Sequence, residues 1–440
     1  MQHQWQNREP GVPMTDGVSA SPDPSWFVHD RFGMFVHWGL YSLGARHEWL
    51  KNRERLSDEQ YLKYFTHFAP DRYAPQDWAR SAREAGMKYV VLTAKHHDGF
   101  CLWDTALTDY KITNTPFGAD AVGLFVDAAR TEGLKVGLYY SLLDWHHPDF
   151  PVDGVHPQRD DEEFKAREAG RDIARYREYL HGQVEELLTT YGPVDLLFFD
   201  FSYEGLYWGG KGAADWGSQE LLGMVRRLSP GTLVNDRLGI PGDYVTPEQY
   251  QPLKPMELDG KPVVWEACQT LNGSWGYDRD NQDFKSAETV VKMLVDGVSK
   301  NGNLILNVGP TGRGDIEPQA REILRSVGTW MADHQRSIRG AGPSAFEAPT
   351  GTRLTQRGNR LYLHLFDWPY LHVHLPGLAG LVDYAQLMLD ASEIAILEND
   401  PDRTAHNTQM GGLPAGTLTL ELPVQRPDTL VPVVELFLTA

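Results

Sequence analysis

A chain of 440 residues with 41% hydrophobic and 23% charged side chains is long enough for two domains and apolar enough for a sizeable core, which excludes large-scale disorder. Its 41 basic and 60 acidic side chains leave a net charge of −19, so a phosphate backbone or an anionic membrane is repelled and nucleic acid is a poor partner. With only Cys101 and Cys268, neither a disulfide framework nor a cysteine-rich metal site is available.

Residues 1–24 are polar, lack the apolar core of a signal peptide and are expected to form a flexible N-terminal segment. No run of about 18 apolar residues follows, so no membrane span is expected and a cytoplasmic location is. Seven apolar, β-rich runs then recur: Phe32–Trp38, Tyr89–His97, Lys135–Ser141, Val194–Asp200, Thr232–Arg237, Val263–Cys268 and Asn303–Pro310. Helical periodicity fills Asp77–Gly86, Ala121–Gly133, Asp161–Tyr191, Ser218–Leu228, Ala287–Lys300 and Glu317–His334. Such alternation predicts a parallel sheet with crossover helices.

Nearly every run closes on polar residues: His37, His96 and His97, Tyr139 to Ser141, Asp200, Asp236 and Arg237, Glu266, and Asn307. A (β/α)8-like TIM barrel gathers strand ends at one mouth, whereas an open sheet uses only a few. Seven strands are countable, so one is hidden or the barrel is irregular. The barrel is expected over 25–340. Beyond Gly340, glycine and proline punctuate short alternating segments, Arg360–Phe366, His372–Leu375 and Thr417–Leu422, which predict an antiparallel β-sandwich over 341–440. Trp368 and the cluster His364, His372 and His374 offer a ligand or metal site as one reading, but strand histidines with one face exposed are expected to be plain surface residues. The glycine-rich stretches 208–212 and 309–314 match no nucleotide-binding fingerprint and are expected to be turns.

Two carboxyl groups flanking one carbon are the equipment of glycosidic hydrolysis. Asp200, at the end of an apolar strand and near Arg237, suits the ionised partner; its bland alternatives are a helix cap or a plain ion pair. Glu248, in the loop Gly242–Tyr250, and Glu266, beside Trp265, compete for the acid. Burial beside Trp265 predicts a raised pKa for Glu266, while Glu248 has the mobility of a loop. Either is otherwise a turn residue or a strand-end anchor. The histidines suit sugar hydroxyls better than a metal, because His96 and His97 are adjacent on a strand and no His-x-His spacing accompanies them. Trp38, Trp49, Trp103, Trp145, Trp208, Trp265 and Trp275 fall near the same ends, and aromatic faces stack on sugar rings.

Over about residues 25 to 340 the chain resembles the α-L-fucosidases, which are retaining glycoside hydrolases. The resemblance is carried by Arg31-Phe32-Gly33-Met34-Phe35-Val36-His37-Trp38-Gly39, by Thr93 to Trp103, by Gly137-Leu138-Tyr139-Tyr140-Ser141, by Asn235-Asp236-Arg237, by Trp265-Glu266-Ala267-Cys268, by Ser274-Trp275-Gly276-Tyr277 and by Gly302 to Pro310. It implies an exo-acting, cofactor-independent enzyme that releases terminal α-L-fucosyl residues from oligosaccharides or glycoconjugates, with Asp200 as nucleophile. It further implies a pocket of His37, Glu48, Trp49, His96, His97, Tyr139, Arg237 and Trp275, with Trp275 facing the C5 methyl group and no metal. In many relatives Gly follows the nucleophile; here Phe201 does. Glu248 is the expected acid/base, with Glu266 second. A metal-dependent barrel hydrolase and a non-catalytic fucose-binding protein are the competing readings. Oligomeric state and linkage preference are not legible.

Overall fold

The computed structural model describes residues 21–398 and 413–439. The expected flexible segment 1–24 therefore lies, except for its last four residues, outside the described residues. All seven apolar runs form strands: β1 (Phe32–Val36), β2 (Tyr89–Lys95), β3 (Lys135–Ser141), β4 (Leu196–Asp200), β5 (Leu233–Val234), β6 (Trp265–Thr270) and β7 (Gly302–Val308). They pair in parallel in the order β5-β4-β3-β2-β1-β7-β6. Burial on both faces explains why these strands are apolar throughout rather than alternating.

The two edges of this curled sheet are joined by the hidden eighth member. Residues 243–249 form no regular strand, yet Tyr244 bridges to Asn235 beside β5, while Val245 and Glu248 bridge in parallel to Trp265 and Cys268 of β6. The ties include Asp243 N–H to Val234 O at 2.7 Å and Cys268 N–H to Pro247 O at 3.0 Å. The structure is a TIM-like barrel closed through an irregular seam. Pro247 has no N–H to give a ladder, which keeps this segment from becoming a strand.

Helices α1 (Pro75–Glu84), α2 (Ala121–Thr131), α3 (Ile173–Thr190), α4 (Ser218–Leu228), α5 (Ala287–Ser299) and α6 (Pro318–His334) alternate with the strands. The single helical pattern expected over Asp161–Tyr191 divides into Glu162–Arg167 and α3, because Asp172 leaves the helical conformation and caps the Ala174 N–H. Alternate strand residues turn inward. Phe35, Val91, Tyr139, Phe198, Leu233, Tyr244, Cys268 and Ile305 fill the barrel interior, and Phe27 plugs its floor.

The C-terminal region forms two antiparallel sheets. One orders Gly342–Pro343, β8 (Thr352–Arg357), β9 (Arg360–Leu365), β14 (Val433–Leu438) and β11 (Val382–Leu387); the other orders β10 (His372–Leu375), β13 (Leu418–Glu421) and β12 (Ala395–Glu398). Leu361, Leu363, Val373, Leu375, Leu418, Leu420 and Leu436 pack between them, as a β-sandwich requires. His364 departs from expectation: it is fully buried and shares a hydrogen bond of 3.0 Å with Thr355 Oγ1. Its neighbours on β9 are core leucines, but its own face of the sheet lies on the barrel, near Trp330. His374 bonds Thr419 Oγ1 at 2.8 Å.

Candidate active site

Asp200 continues the inward series Leu196, Phe198 of β4 and is the first of that series to reach the mouth. Tyr139, two residues inside the end of β3, donates its hydroxyl to Asp200 Oδ2 at 2.8 Å. Arg237, in the turn after β5, donates from Nη1 to Asp200 Oδ1 at 2.8 Å. The same nitrogen lies 2.8 Å from Glu248 Oε2, at the end of the seam. Thr246 holds the guanidinium in place, accepting from its Nε at 2.8 Å and, through its carbonyl, from Nη2 at 3.2 Å. Burial alone lowers the Arg237 pKa, but Glu248 and Asp200 outweigh it and hold the group well above its usual value.

Sharing one nitrogen sets an upper limit on the spacing of the carboxylates. Their nearest oxygens lie no more than twice 2.8 Å apart. Retaining glycosidases hold the two carboxyl groups about 5–5.5 Å apart, inverting ones about 6.5–9.5 Å. Exposure separates the pair as well: the Asp200 side chain is 15% exposed and that of Glu248 is 41%, so Glu248 sits nearer the rim of the mouth.

Glu266 is not part of this pair. It is the second residue of β6, not its end, and is paired in register with Asn303 at the start of β7. That level is four residues, roughly 13 Å, below Asn307 at the mouth. Its carboxyl accepts the Tyr89 hydroxyl on the barrel floor. Burial pushes its pKa up to about 8 despite the Tyr89 bond, so the expected direction holds while the expected position is corrected. The strand begins two residues later than the apolar run, which carries Glu266 from the top of the barrel to its bottom.

The remaining candidates assemble around Asp200. A bulge between Thr93 and Lys95 ends β2, so His96 and His97 do not alternate across a strand; their ring centroids are 4.1 Å apart. His97 Nε2 is 3.9 Å from Asp200 Oδ2, and its Nδ1 shares a hydrogen bond of 2.7 Å with Ser141 Oγ. His37 Nδ1 is bonded to Asn307 Oδ1 at 2.6 Å, and its ring lies 5.1 Å from Trp275. Burial drives His37 and His97 down to about 3 and His96 well below its usual range, so all three are neutral at ordinary pH. Glu48 accepts the Gly276 N–H at 2.8 Å, which ties the Trp275 loop to the pocket, and burial raises Glu48 to about 8. A Cβ at Gly276 would lie 2.8 Å from the Tyr41 ring, so glycine permits that approach. His47 Nδ1 is 3.0 Å from Glu48 Oε1 but already accepts the Trp49 N–H. Glu48 Oε1, His96 Nδ1 and Trp145 Nε1 are thus buried without a hydrogen-bond partner in the protein, which suits a ligand carrying hydroxyls.

Of the seven tryptophans that fall near the expected strand ends, Trp49, Trp145 and Trp275 border this pocket. Trp38, Trp103 and Trp265 are core, and Trp208 is 53% exposed. Trp49 packs at 5.3 Å against Phe201, whose φ of 80° is the left-handed conformation that favours glycine. Thr246 and the Lys95–Asp144 pair also belong to this region, and neither is marked by a motif in the sequence. Lys95 is fully buried, 3.1 Å from Asp144 Oδ2 and 4.4 Å above the Tyr140 ring, while Asp144 Oδ1 accepts the N–H groups of His146 and His147. The only signal for it was a lysine inside an apolar run. Among the described residues, no three His, Cys, Asp or Glu side chains are grouped to hold a metal ion.

Known proteins share this arrangement of elements. A family model described as Alpha-L-fucosidase matches residues 1–336. Tissue α-L-fucosidase of Bos taurus is 30% identical over 390 residues, covering 81% of this chain and 78% of its own. Among solved structures, α-L-fucosidase isoenzyme 1 from Paenibacillus thiaminolyticus superimposes with a TM-score of 0.88 at 46% identity, over 95% of this chain and 99% of that one. A GH29 α-L-fucosidase from Bacteroides thetaiotaomicron, solved as a trapped covalent intermediate with 2-fluoro-fucosyl fluoride, superimposes with a TM-score of 0.82 at 27% identity, over 98% and 100% of the two chains.

Proposed function

Because this chain belongs to the α-L-fucosidase family, whose reaction is the retaining hydrolysis of terminal α-L-fucosyl residues, we propose that Asp200 is its nucleophile and Glu248 its acid/base. Asp200 attacks the anomeric carbon as the glycosidic C–O bond breaks, and Glu248 gives its proton to the departing oxygen. The product of this step is a fucosyl ester on Asp200 with inverted configuration. Glu248, now a carboxylate, takes a proton from water; the water oxygen attacks the same carbon, the ester bond breaks, and fucose leaves with its original configuration.

The observation that carries the assignment is the single Arg237 nitrogen shared by both carboxylates, which brings them within the separation a retaining pair uses. Tyr139 donates to Asp200 Oδ2 and so holds that carboxyl group in position. The neutral His37, His96 and His97, together with Glu48, supply donors and acceptors for the sugar hydroxyls, Trp49 closes one side, and Trp275 offers an apolar face to the C5 methyl group.

Azide tests the assignment on an aryl α-L-fucoside. Glu248→Ala should lose about a hundredfold to ten-thousandfold in rate and recover with azide, giving α-fucosyl azide, because azide replaces water on the intact fucosyl ester. Asp200→Gly should give the β-azide, because azide then fills the nucleophile's place. Rescue of Glu266→Ala with α-azide, and none for Glu248→Ala, would transfer the acid/base role to Glu266.

A further inference from the structure

The loop that leaves the nucleophile, residues 201–212, holds aromatic rings out to solvent from a rigid base. Tyr207 and Trp208 are 41% and 53% exposed. Beneath them Lys211, itself buried, pairs with Asp153 and donates to Pro151 O at 3.1 Å. The Tyr203 hydroxyl donates to the same Asp153, and Gly154 N–H donates to Trp208 O at 2.9 Å. These bonds tie the base of the loop to residues 151–154 at several points, which leaves it few ways to fold over its own rings. The rings are continuous with the catalytic pocket. Phe201 contacts Trp49 at 5.3 Å, His97 at 5.1 Å and Tyr203 at 5.1 Å, and Tyr203 contacts Tyr207 at 6.3 Å. Lys165 covers one side of Trp208 at 5.5 Å.

We propose that Phe201, Tyr207 and Trp208 form a leaving-group ledge that binds the sugars beyond the fucose, making fucosylated oligosaccharides with at least two further sugar residues the preferred substrates of this chain. Phe201 follows Asp200 directly and is placed to face the first of these sugars; Tyr207 lies one supporting ring, Tyr203, farther out, with Trp208 next to it in the chain, a reach that suits the second. Pyranose rings present C–H faces to aromatic rings and carry no charge, so the acidic molecule does not repel them. A second copy of the chain, also at −19, is a poorer occupant of the same patch. A preformed ledge orders no loop on binding and so keeps the gain from stacking.

The inference rests on the fucosidase reading, and the experiment separates the two. Wild type and the double variant Tyr207→Ser/Trp208→Ser are assayed on fucosyl-galactose and fucosyl-lactose of matched linkage, for several linkages, with an aryl fucoside as reference and light scattering for mass. Wild type should prefer the longer member of at least one pair, by about five- to tenfold in kcat/KM, and the double variant should lose that preference. Equal rates on both members in every pair, or a preference that survives the double variant, would overturn the ledge. So would a variant that changes only from dimer to monomer. Absence of turnover on the aryl fucoside by wild type would instead remove the fucosidase reading itself.

Discussion

Phe201 holds a backbone conformation, φ of 80°, that costs a side chain about 1–2 kcal/mol and glycine nothing. Its ring packs against Trp49, His97 and Tyr203. Phe201→Gly and Phe201→Ala both remove the ring, so their difference isolates the backbone: Gly should be the more stable by about 1 kcal/mol, the reverse of the usual order, as read by urea unfolding. Glu266 makes a second residue-scale prediction. Its pKa is raised to about 8 from an ordinary 4.5, so the folded state binds a proton more tightly than the unfolded chain. Its stabilising contribution is complete below the ordinary value and is lost as pH rises through about 8. Glu266→Gln cannot lose a proton, so its melting temperature should fall less than that of wild type over that window, with kcat/KM little changed. The pocket histidines have the opposite sign: His37 and His97 lie near 3, so they cost stability only as pH drops below their ordinary range near 6.5. Neither arm of the pH–rate profile should therefore bear a histidine step near 6.5, which profiles of wild type and His97→Asn will show.

At the scale of elements, the catalytic mouth depends on how the loops after β2 and β3 are tied together. Trp145 N–H donates to His97 O at 2.9 Å, and the Lys95–Asp144 pair lies beneath that link. Asp144→Ala leaves a buried, uncompensated ammonium and should cost about 3–5 kcal/mol in denaturant unfolding. The same scale shows what the sequence disclosed. Seven strands were legible because each is buried on both faces and so reads as an unbroken apolar run. Asp200, Arg237 and the histidines were legible because they end such runs. The seam was not, since Gly242, Thr246 and Pro247 break any pattern, and Glu248 therefore passed for a loop residue although it occupies the eighth strand end. Glu266 was misplaced for a related reason: Val263 and Val264 extend the apolar run of β6 below the point where its pairing begins. Phe201 stands out in the sequence only as a departure from relatives, because a positive φ leaves no trace in side-chain pattern.

At the scale of the molecule, barrel and sandwich share packing. Trp330 on α6 donates to Val431 O at 2.7 Å, Thr355 on β8 donates to Ser337 O at 2.7 Å, and Arg353 reaches Asp296 on α5 at 2.7 Å. Trp330, Tyr362, Met388 and Val433 belong to the same apolar cluster as the helices around the barrel. Heating should accordingly give one calorimetric transition, and a chain cut after Ala341 should expose Trp330 and lose solubility; two well-separated transitions would show that the halves are stable independently. No helix among the described residues is long and apolar enough to cross a membrane. The irregular closure at 243–249 has a consequence for descent. A regular strand cannot gain or lose one residue without turning its side chains to the wrong face, but this segment is held by a few isolated bridges and has no long ladder to disturb. Mutational drift in length is cheapest here, at the very place that carries Glu248. Alignments of distant relatives should accumulate gaps at this point while the seven flanking strands stay in step, and Glu248 should be harder to trace by descent than Asp200 and easier to find by its distance from Arg237.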